Sequence, residues 1–288
     1  MEKIGYVSMN QIIHKIDIGH ITDIHFKILE LVNKFEFITS RQIYQIVVHN
    51  QKDIIKSQDK LNNKLEQLVN SKILTRYYFK SQKGDCIYRI YCLEKMGKYL
   101  LNSRGIECKW QPTDNTKPVE MIKKRLAGNQ IIIAYLRKVK AFDEYTVKPI
   151  IIAKELGKTF KAQAGIKLTK NKKSINFIFE VIRREEDWES KLITRMKLYV
   201  NFYKNFVQFD CGFAIKPQLI LVCEDNRHMV ETLKAIATNK LEIPDVKILF
   251  TSDLRQNSTL LNKSLIEFKI DEQTQKYKME EIELKILE

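Results

Sequence analysis

Between Thr22 and Leu93 the apolar residues change period once, and that change restricts this stretch to three helices followed by a two-stranded ribbon. Ile24, Ile28, Leu29 and Val32 recur at helical spacing and define a first apolar face. Ser40 stands where an N-cap would open a second helix through Ile43, Tyr44 and Val47. Leu61, Leu65, Leu68 and Val69 give a third helix that ends near Lys72. The period then drops to two. Ile73–Lys80 (ILTRYYFK) and Cys86–Leu93 (CIYRIYCL) read as strands, and Gly84 and Asp85 in the intervening SQKGD supply the turn.

Helix, helix, helix and hairpin in this order is the layout of a winged helix-turn-helix, which points to double-stranded DNA. With its leucines buried, the third helix offers Gln58, Asn62 and Asn63, with Lys60 and Lys64 beside them. Asn and Gln amides can pair two-pronged with adenine in the major groove, and lysines reach phosphates or guanine. Ser57 is the expected N-cap of that helix and, like Arg41 at the start of the second, is placed to meet the DNA backbone. Arg76 on the first strand and Lys80 and Lys83 toward the hairpin tip complete the expected DNA-contacting set. The competing reading is a small helical bundle with a hairpin that mediates protein contacts.

Composition agrees with a polyanion partner. The net charge is +15 and the pI about 9.4, a balance that favours binding driven by counterion release. The excess is spread along the chain, as it would also be in a Lys-, Ile- and Asn-rich protein from an AT-rich genome. A 44% hydrophobic share over 288 residues is enough for two packed domains and argues against disorder. Cys86, Cys92, Cys108, Cys211 and Cys223 lack zinc-site spacing, and the five histidines do not complete one. Neither a signal peptide nor a run of ~20 apolar residues is evident, so a cytoplasmic location and no membrane role are expected.

The expected organisation is a DNA-binding domain over residues 1–105, a linker over 106–118 marked by Pro112, Asp114, Asn115 and Pro118, and an α/β domain over 119–288. The last part opens with a helical pattern from Val119 to Ala141. Strands follow near Lys148, near Ala164 and over Ser174–Ile182. A helix over Asp187–Lys204, a strand over Gln218–Glu224, a helix over Met229–Thr238 and a strand over Val246–Ser252 close it. Apolar strands after crossover helices call for parallel pairing. No GxGxxG follows any strand, which leaves dinucleotide binding unsupported, and P-loop, GxSxG and HExxH motifs are absent.

A helix, a run of strands, then helix and strand also describes the restriction-endonuclease-like (PD-(D/E)XK-type) core. Active members pair a strand Asp with a Glu/Asp-x-Lys on the next strand, so that carboxylates hold Mg²⁺ and the Lys helps activate water. Glu180 in FIFEVIR fills one carboxylate position. Ile182 stands where the Lys belongs, and Ala162–Gln163 where the Pro-Asp belongs. Arg183, Arg184 and Arg195 are candidate partners for Glu180, and Glu185, Glu186 and Asp187 read as the acidic first turn of a helix. The expectation is a domain without catalytic or metal-binding residues.

From about His20 to Leu261 the chain resembles the replication-relaxation family of bacterial plasmids and integrative conjugative elements. The likeness rests on KLNNKLEQLVNSKILTRYYF, on INFIFEVIRREEDWESKLITRMKLYVNFY, and on QLILVCEDNRHMVETLKAI followed by ILFTSDL. The family's Pro-Asp and Glu-Val-Asp are represented here by Gln163 and Ile182 at the diagnostic places. The resemblance implies a DNA-binding accessory or regulator acting at an origin of replication or transfer. A relaxase or replication initiator is the expected protein partner, no cofactor is expected, and a homodimer is one assembly. The alternatives are an endonuclease with a rearranged site, in which Glu185 or Asp187 joins Glu180, and a transcriptional repressor of the element.

Overall fold

Ser8 and Gln11 exchange hydrogen bonds at the first helix start. The Gln11 backbone N–H donates to Ser8 Oγ (3.4 Å) and the Ser8 N–H to Gln11 Oε1 (2.9 Å). In the computed structural model, which describes residues 8–50, 55–80, 87–138, 144–148, 151–155, 158–207, 211–241, 243, 245–270 and 277–284, this capping box opens α1 (Met9–Asp17). The chain is a mixed α+β protein that divides into two units, Met1–Leu126 and Ala127–Glu288.

In the first unit α2 (Asp23–Phe35) buries Phe26, Ile28, Leu29, Val32 and Phe35, together with His25. A two-residue strand β1 (Ile38–Thr39) leads into α3 (Ser40–Asn50). Thr39, one residue before the expected cap, makes the capping exchange. Its hydroxyl accepts from the Gln42 N–H, and its own N–H donates to Gln42 Oε1, both at 3.1 Å. The helix α4 (Gln58–Asn70) is polar over most of its length, and its Leu61, Leu65 and Leu68 are fully buried. At ~1.5–3 kcal/mol for each buried aliphatic side chain, these three hold the helix in place and decide which side faces out. The strands β2 (Leu74–Lys80) and β3 (Ile87–Leu93) pair antiparallel from Leu74↔Leu93 to Lys80↔Ile87. β1 adds to the far side of β3, giving the order β1-β3-β2. The expected Gly84–Asp85 turn lies outside the described residues.

The helix α5 (Lys95–Ser103) follows, and Gly97 lets it approach the sheet closely, since a Cβ there would stand 2.6 Å from the Ile73 carbonyl oxygen. Residues expected to form a linker are pinned to this unit by Asn115, in a 3₁₀ turn over Pro112–Thr116. Its Oδ1 accepts from the Trp110 indole (3.1 Å) and the Cys92 thiol (3.2 Å), its Nδ2 donates to Glu94 Oε1 (2.8 Å), and its carbonyl accepts from the Tyr77 hydroxyl (2.8 Å). Burial pushes the Cys92 thiol up to about 12, so it stays protonated. The first unit ends at Leu126, inside α6 (Val119–Lys138).

The second unit is built on a seven-stranded mixed sheet in the order β12-β11-β10-β9-β8-β7-β4. β4 (Glu144–Lys148), β7 (Ala164–Lys170) and β8 (Lys173–Val181) form an antiparallel run. After α7 (Trp188–Lys204), β9 (Gln218–Cys223) lies parallel to β8, and after α8 (Asn226–Thr238), β10 (Ile248–Ser252) lies parallel to β9. The strand expected near Lys148 is two strands, because β5 (Ile151–Glu155) leaves the main sheet to pair with β6 (Lys158–Ala162). The short helix α9 (Asp253–Ser258) is followed by β11 (Leu265–Ile270) and β12 (Tyr277–Ile282), which extend the sheet antiparallel beyond β10. One face of β8 packs Phe177 and Phe179 around Tyr135 of α6, while Ile178 and Ile182 join Leu192, Met196 and Tyr199 of α7 in the core on the other face. No helix among the described residues is long and apolar enough to cross a membrane.

Gly128 shows why a helix breaker sits inside α6. A Cβ there would stand 2.9 Å from the Gln163 carbonyl oxygen and 3.3 Å from its carbon, both backbone atoms that cannot rotate away. Helix propensity alone favours Gly128→Ala by ~1 kcal/mol. The clash reverses the sign, and the substitution is expected to destabilise the protein by ~1–3 kcal/mol in urea unfolding. A stabilised variant would contradict the close approach.

Candidate nucleic-acid interface

With Leu61, Leu65 and Leu68 turned inward, the polar residues of α4 fall on two flanks and an outer ridge rather than on a single face. Gln58 and Asn62 lie on the flank beside the start of α3, where Gln58 Nε2 donates to the Ser40 carbonyl (3.3 Å) and to Asn62 Oδ1 (3.2 Å). Lys60, Lys64 and Gln67 lie on the opposite flank and, with Asn63, line an open cleft floored by Ile24 and Ile55. Asn63 and Asp59 are exposed between the flanks. Lys60, Asn63 and Lys64 make no side-chain hydrogen bond or ion pair among the described residues.

A buried histidine orients the cleft. The Thr22 backbone N–H donates to His25 Nδ1 (3.0 Å), which assigns the proton to Nε2, and Nε2 then donates to Gln67 Oε1 (2.8 Å). The Gln67 amide NH₂ is thereby left for the cleft, adding a donor beside the two ammonium groups. Burial lowers the His25 pKa, and the nearby Lys64 charge lowers it further, so the ring is neutral at pH 7.

The remaining expected residues separate by what they touch. Ser57 Oγ accepts from the Lys60 N–H (3.2 Å), so its hydroxyl caps α4 as expected. Arg41 is exposed in the first turn of α3. Arg76 pairs with Glu66 of α4 and lies over the Tyr78 ring (5.1 Å). It cancels a carboxylate beside the outer ridge instead of standing free. Lys80 ends β2, its side chain lies outside the described residues, and so does Lys83 altogether.

The hairpin adds two residues that sequence reasoning overlooked. Tyr78 and Arg89 are directly opposite across β2 and β3, both exposed, on the same face of the ribbon as Arg76. This face meets α4 through the Arg76–Glu66 pair, so Tyr78 and Arg89 continue the surface that α4 presents. Strand alternation alone relates Arg76 to Tyr78, but only the observed register relates either to Arg89.

Glu180, the strand carboxylate of the expected nuclease-like site, is 5% exposed and already engaged. Its carboxylate receives Arg195 Nε (3.0 Å) and Nη2 (3.1 Å) and the Tyr199 hydroxyl (2.6 Å). The Arg195 guanidinium also donates to the Lys161 carbonyl and lies over the Phe160 ring (4.9 Å). Burial, and then the neighbouring carboxylate, raise the Tyr199 phenol well above its ordinary value and keep it a donor. Among the three arginine candidates Arg195 is the partner. Arg183 instead donates through its Nη2 to both carboxylate oxygens of Asp253 (2.9 and 3.0 Å), and Arg184 binds Glu224, Asp225 and Glu231. Ile182, in the lysine position, is buried in the core against α7. Gln163, in the aspartate position, lies next to the Ala164↔Phe179 pair and donates its backbone N–H to the Phe179 carbonyl (3.1 Å). Glu185, Glu186 and Asp187 precede α7 rather than form its first turn. Asp187 adopts φ 56° as the N-cap, and Glu189 is the acidic residue of that turn.

No family model matches the chain, and no curated protein matches it either.

The Glu180 cluster has a measurable consequence. Arg195→Ala leaves a buried carboxylate without its cation and is expected to destabilise the protein by ~3–5 kcal/mol, whereas Glu180→Leu with Arg195→Met restores most of that loss. Urea unfolding of the single and double variants checks this. An Arg195→Ala protein as stable as the wild type would show that the pair is not formed.

Proposed function

We propose that this chain is a DNA-binding protein without enzymatic activity, in which the first unit is a winged helix-turn-helix and the second a restriction-endonuclease-like domain that has lost its metal chemistry. The observation that carries the reading is the outward set on α4 and the hairpin. Lys60, Lys64, Asn63 and the Gln67 amide lie on one side, the Gln58–Asn62 pair on the other, and Tyr78 and Arg89 on the adjoining ribbon. A helix flanked by cations can enter a major groove while a ribbon beside it meets the backbone. The order α2-β1-α3-α4-β2-β3, with β1 on the far edge of the hairpin, supports the winged-helix assignment. The α6-β4-β7-β8-α7-β9 order supports the nuclease-like one.

Loss of cleavage chemistry is supported by the use to which Glu180 is put. A carboxylate bonded to a guanidinium and a phenol, with an apolar residue two positions later, lacks both the free oxygens and the ammonium group that metal-assisted hydrolysis needs. The wider role follows the sequence resemblance: an accessory or regulator of a plasmid or conjugative element, acting in the cytoplasm at an origin of replication or transfer. A relaxase or initiator is then its partner.

Fluorescence anisotropy with duplex DNA over a salt series tests the DNA-binding core of this reading. Lys60→Ala with Lys64→Ala is expected to weaken specific and non-specific duplexes alike, and to lower the slope of log K against log salt by about 2. An unchanged slope and affinity would remove the cleft from the interface.

A further inference from the structure

We infer that Gln58 and Asn62 act as one composite reader of a single adenine, each supplying one of the two hydrogen bonds. The inference rests on the DNA-binding reading above and assigns base specificity to one flank of α4.

The argument begins with amide orientation. The Ser40 backbone carbonyl can only accept, so the Gln58 atom 3.3 Å from it is the NH₂ nitrogen. That nitrogen has two hydrogens, and the second is directed to an Asn62 oxygen at 3.2 Å. The Asn62 carbonyl therefore faces Gln58, and its NH₂ is left over. Both hydrogens of the Gln58 amide are used inside the protein, so Gln58 cannot make the two-pronged donor-and-acceptor contact by itself. The Asn62 oxygen already accepts from Gln58, which keeps one of its two lone pairs occupied and turns its NH₂ outward as the donor. Together they retain Gln58 Oε1 as an acceptor and Asn62 Nδ2 as a donor, one helical turn apart on one flank, with neither atom hydrogen-bonded among the described residues.

One acceptor beside one donor is the complement of a particular base edge. In the major groove adenine shows the N6 amino donor next to the N7 acceptor. Guanine shows two acceptors, O6 and N7, one of which would oppose the Gln58 oxygen. Cytosine shows only a donor and thymine only an acceptor beside its methyl group. Among single base edges, adenine is the one that satisfies both leftover atoms. The exposed Asn63, on the outer ridge, takes no part in the pair.

The experiment is selection of bound duplexes from a random library with the full chain, repeated with Asn62→Asp and Asn62→Ala. Asp at this position still accepts from Gln58 but replaces the outward donor by an acceptor. The wild type is expected to select adenine at one position of its site. Asn62→Asp should lower the preference for adenine over the other bases there at least tenfold and favour cytosine. Asn62→Ala should lower it without a new preference, and the rest of the site should stay unchanged for both. Comparing ratios between bases removes the uniform effect of the added negative charge. If both variants select the wild-type site, the composite reader is wrong while DNA binding stands. If the wild type enriches no sequence yet binds duplex DNA, base reading by this pair is likewise wrong. If the wild type binds no duplex at all, the DNA-binding reading fails and takes the inference with it.

Discussion

The burial of Leu61, Leu65 and Leu68 is the interaction on which the rest depends. Three fully buried leucines on a helix of mostly polar composition leave it one way to sit. They place Gln58 and Asn62 against the start of α3, Lys60 and Lys64 over the cleft beside α2, and Glu66 within reach of Arg76. Each α4 side chain of the proposed interface inherits its direction from that seam. The second constraint is the neutral His25, which fixes the Gln67 amide from beneath and so ties the outer surface of α4 to the core of α2.

The second unit uses the Glu180 carboxylate as a structural group. A buried Glu needs a cation and hydrogen-bond donors to repay its desolvation, and Arg195 and Tyr199 provide both. A divalent ion at the same oxygens would have to displace the guanidinium, which is itself held by the Lys161 carbonyl and the Phe160 ring. The acidic residues just outside the parallel strands are also matched, with Arg183 on Asp253 and Arg184 among Glu224, Asp225 and Glu231.

Much of this was legible in the sequence where period and burial coincide. The helices α2 to α5, the hairpin, and the succession β7, β8, α7, β9, α8, β10 follow from apolar spacing alone. The helix α1 escaped notice although Ser8 and Gln11 carry a capping-box spacing. β11 and β12 escaped because charges interrupt their apolar residues, and β12 is exposed along most of its length. The segment 106–118 looks like a linker in composition, since Pro and Asn mark loops and pinned turns equally, and the bonds of Asn115 belong to the tertiary structure. At the site, the residue types on α4 were readable but their grouping was not. Gln58 and Asn62 share one flank and Lys60 and Lys64 the other, and the neighbours that orient them, Ser40 and His25, come from different helices. Arg89 needed the strand register, and Arg76 needed knowledge that Glu66 stands opposite.

The central claim is that α4 and the ribbon beside it are the surface that holds DNA. Hydrogen–deuterium exchange of the full chain, with and without a saturating duplex at low salt, tests it directly. The account expects added protection over 57–70 and over the ribbon segments 74–80 and 87–93, with little change along β8 and β9. Protection confined to residues 127–288, with α4 unaffected, would contradict it.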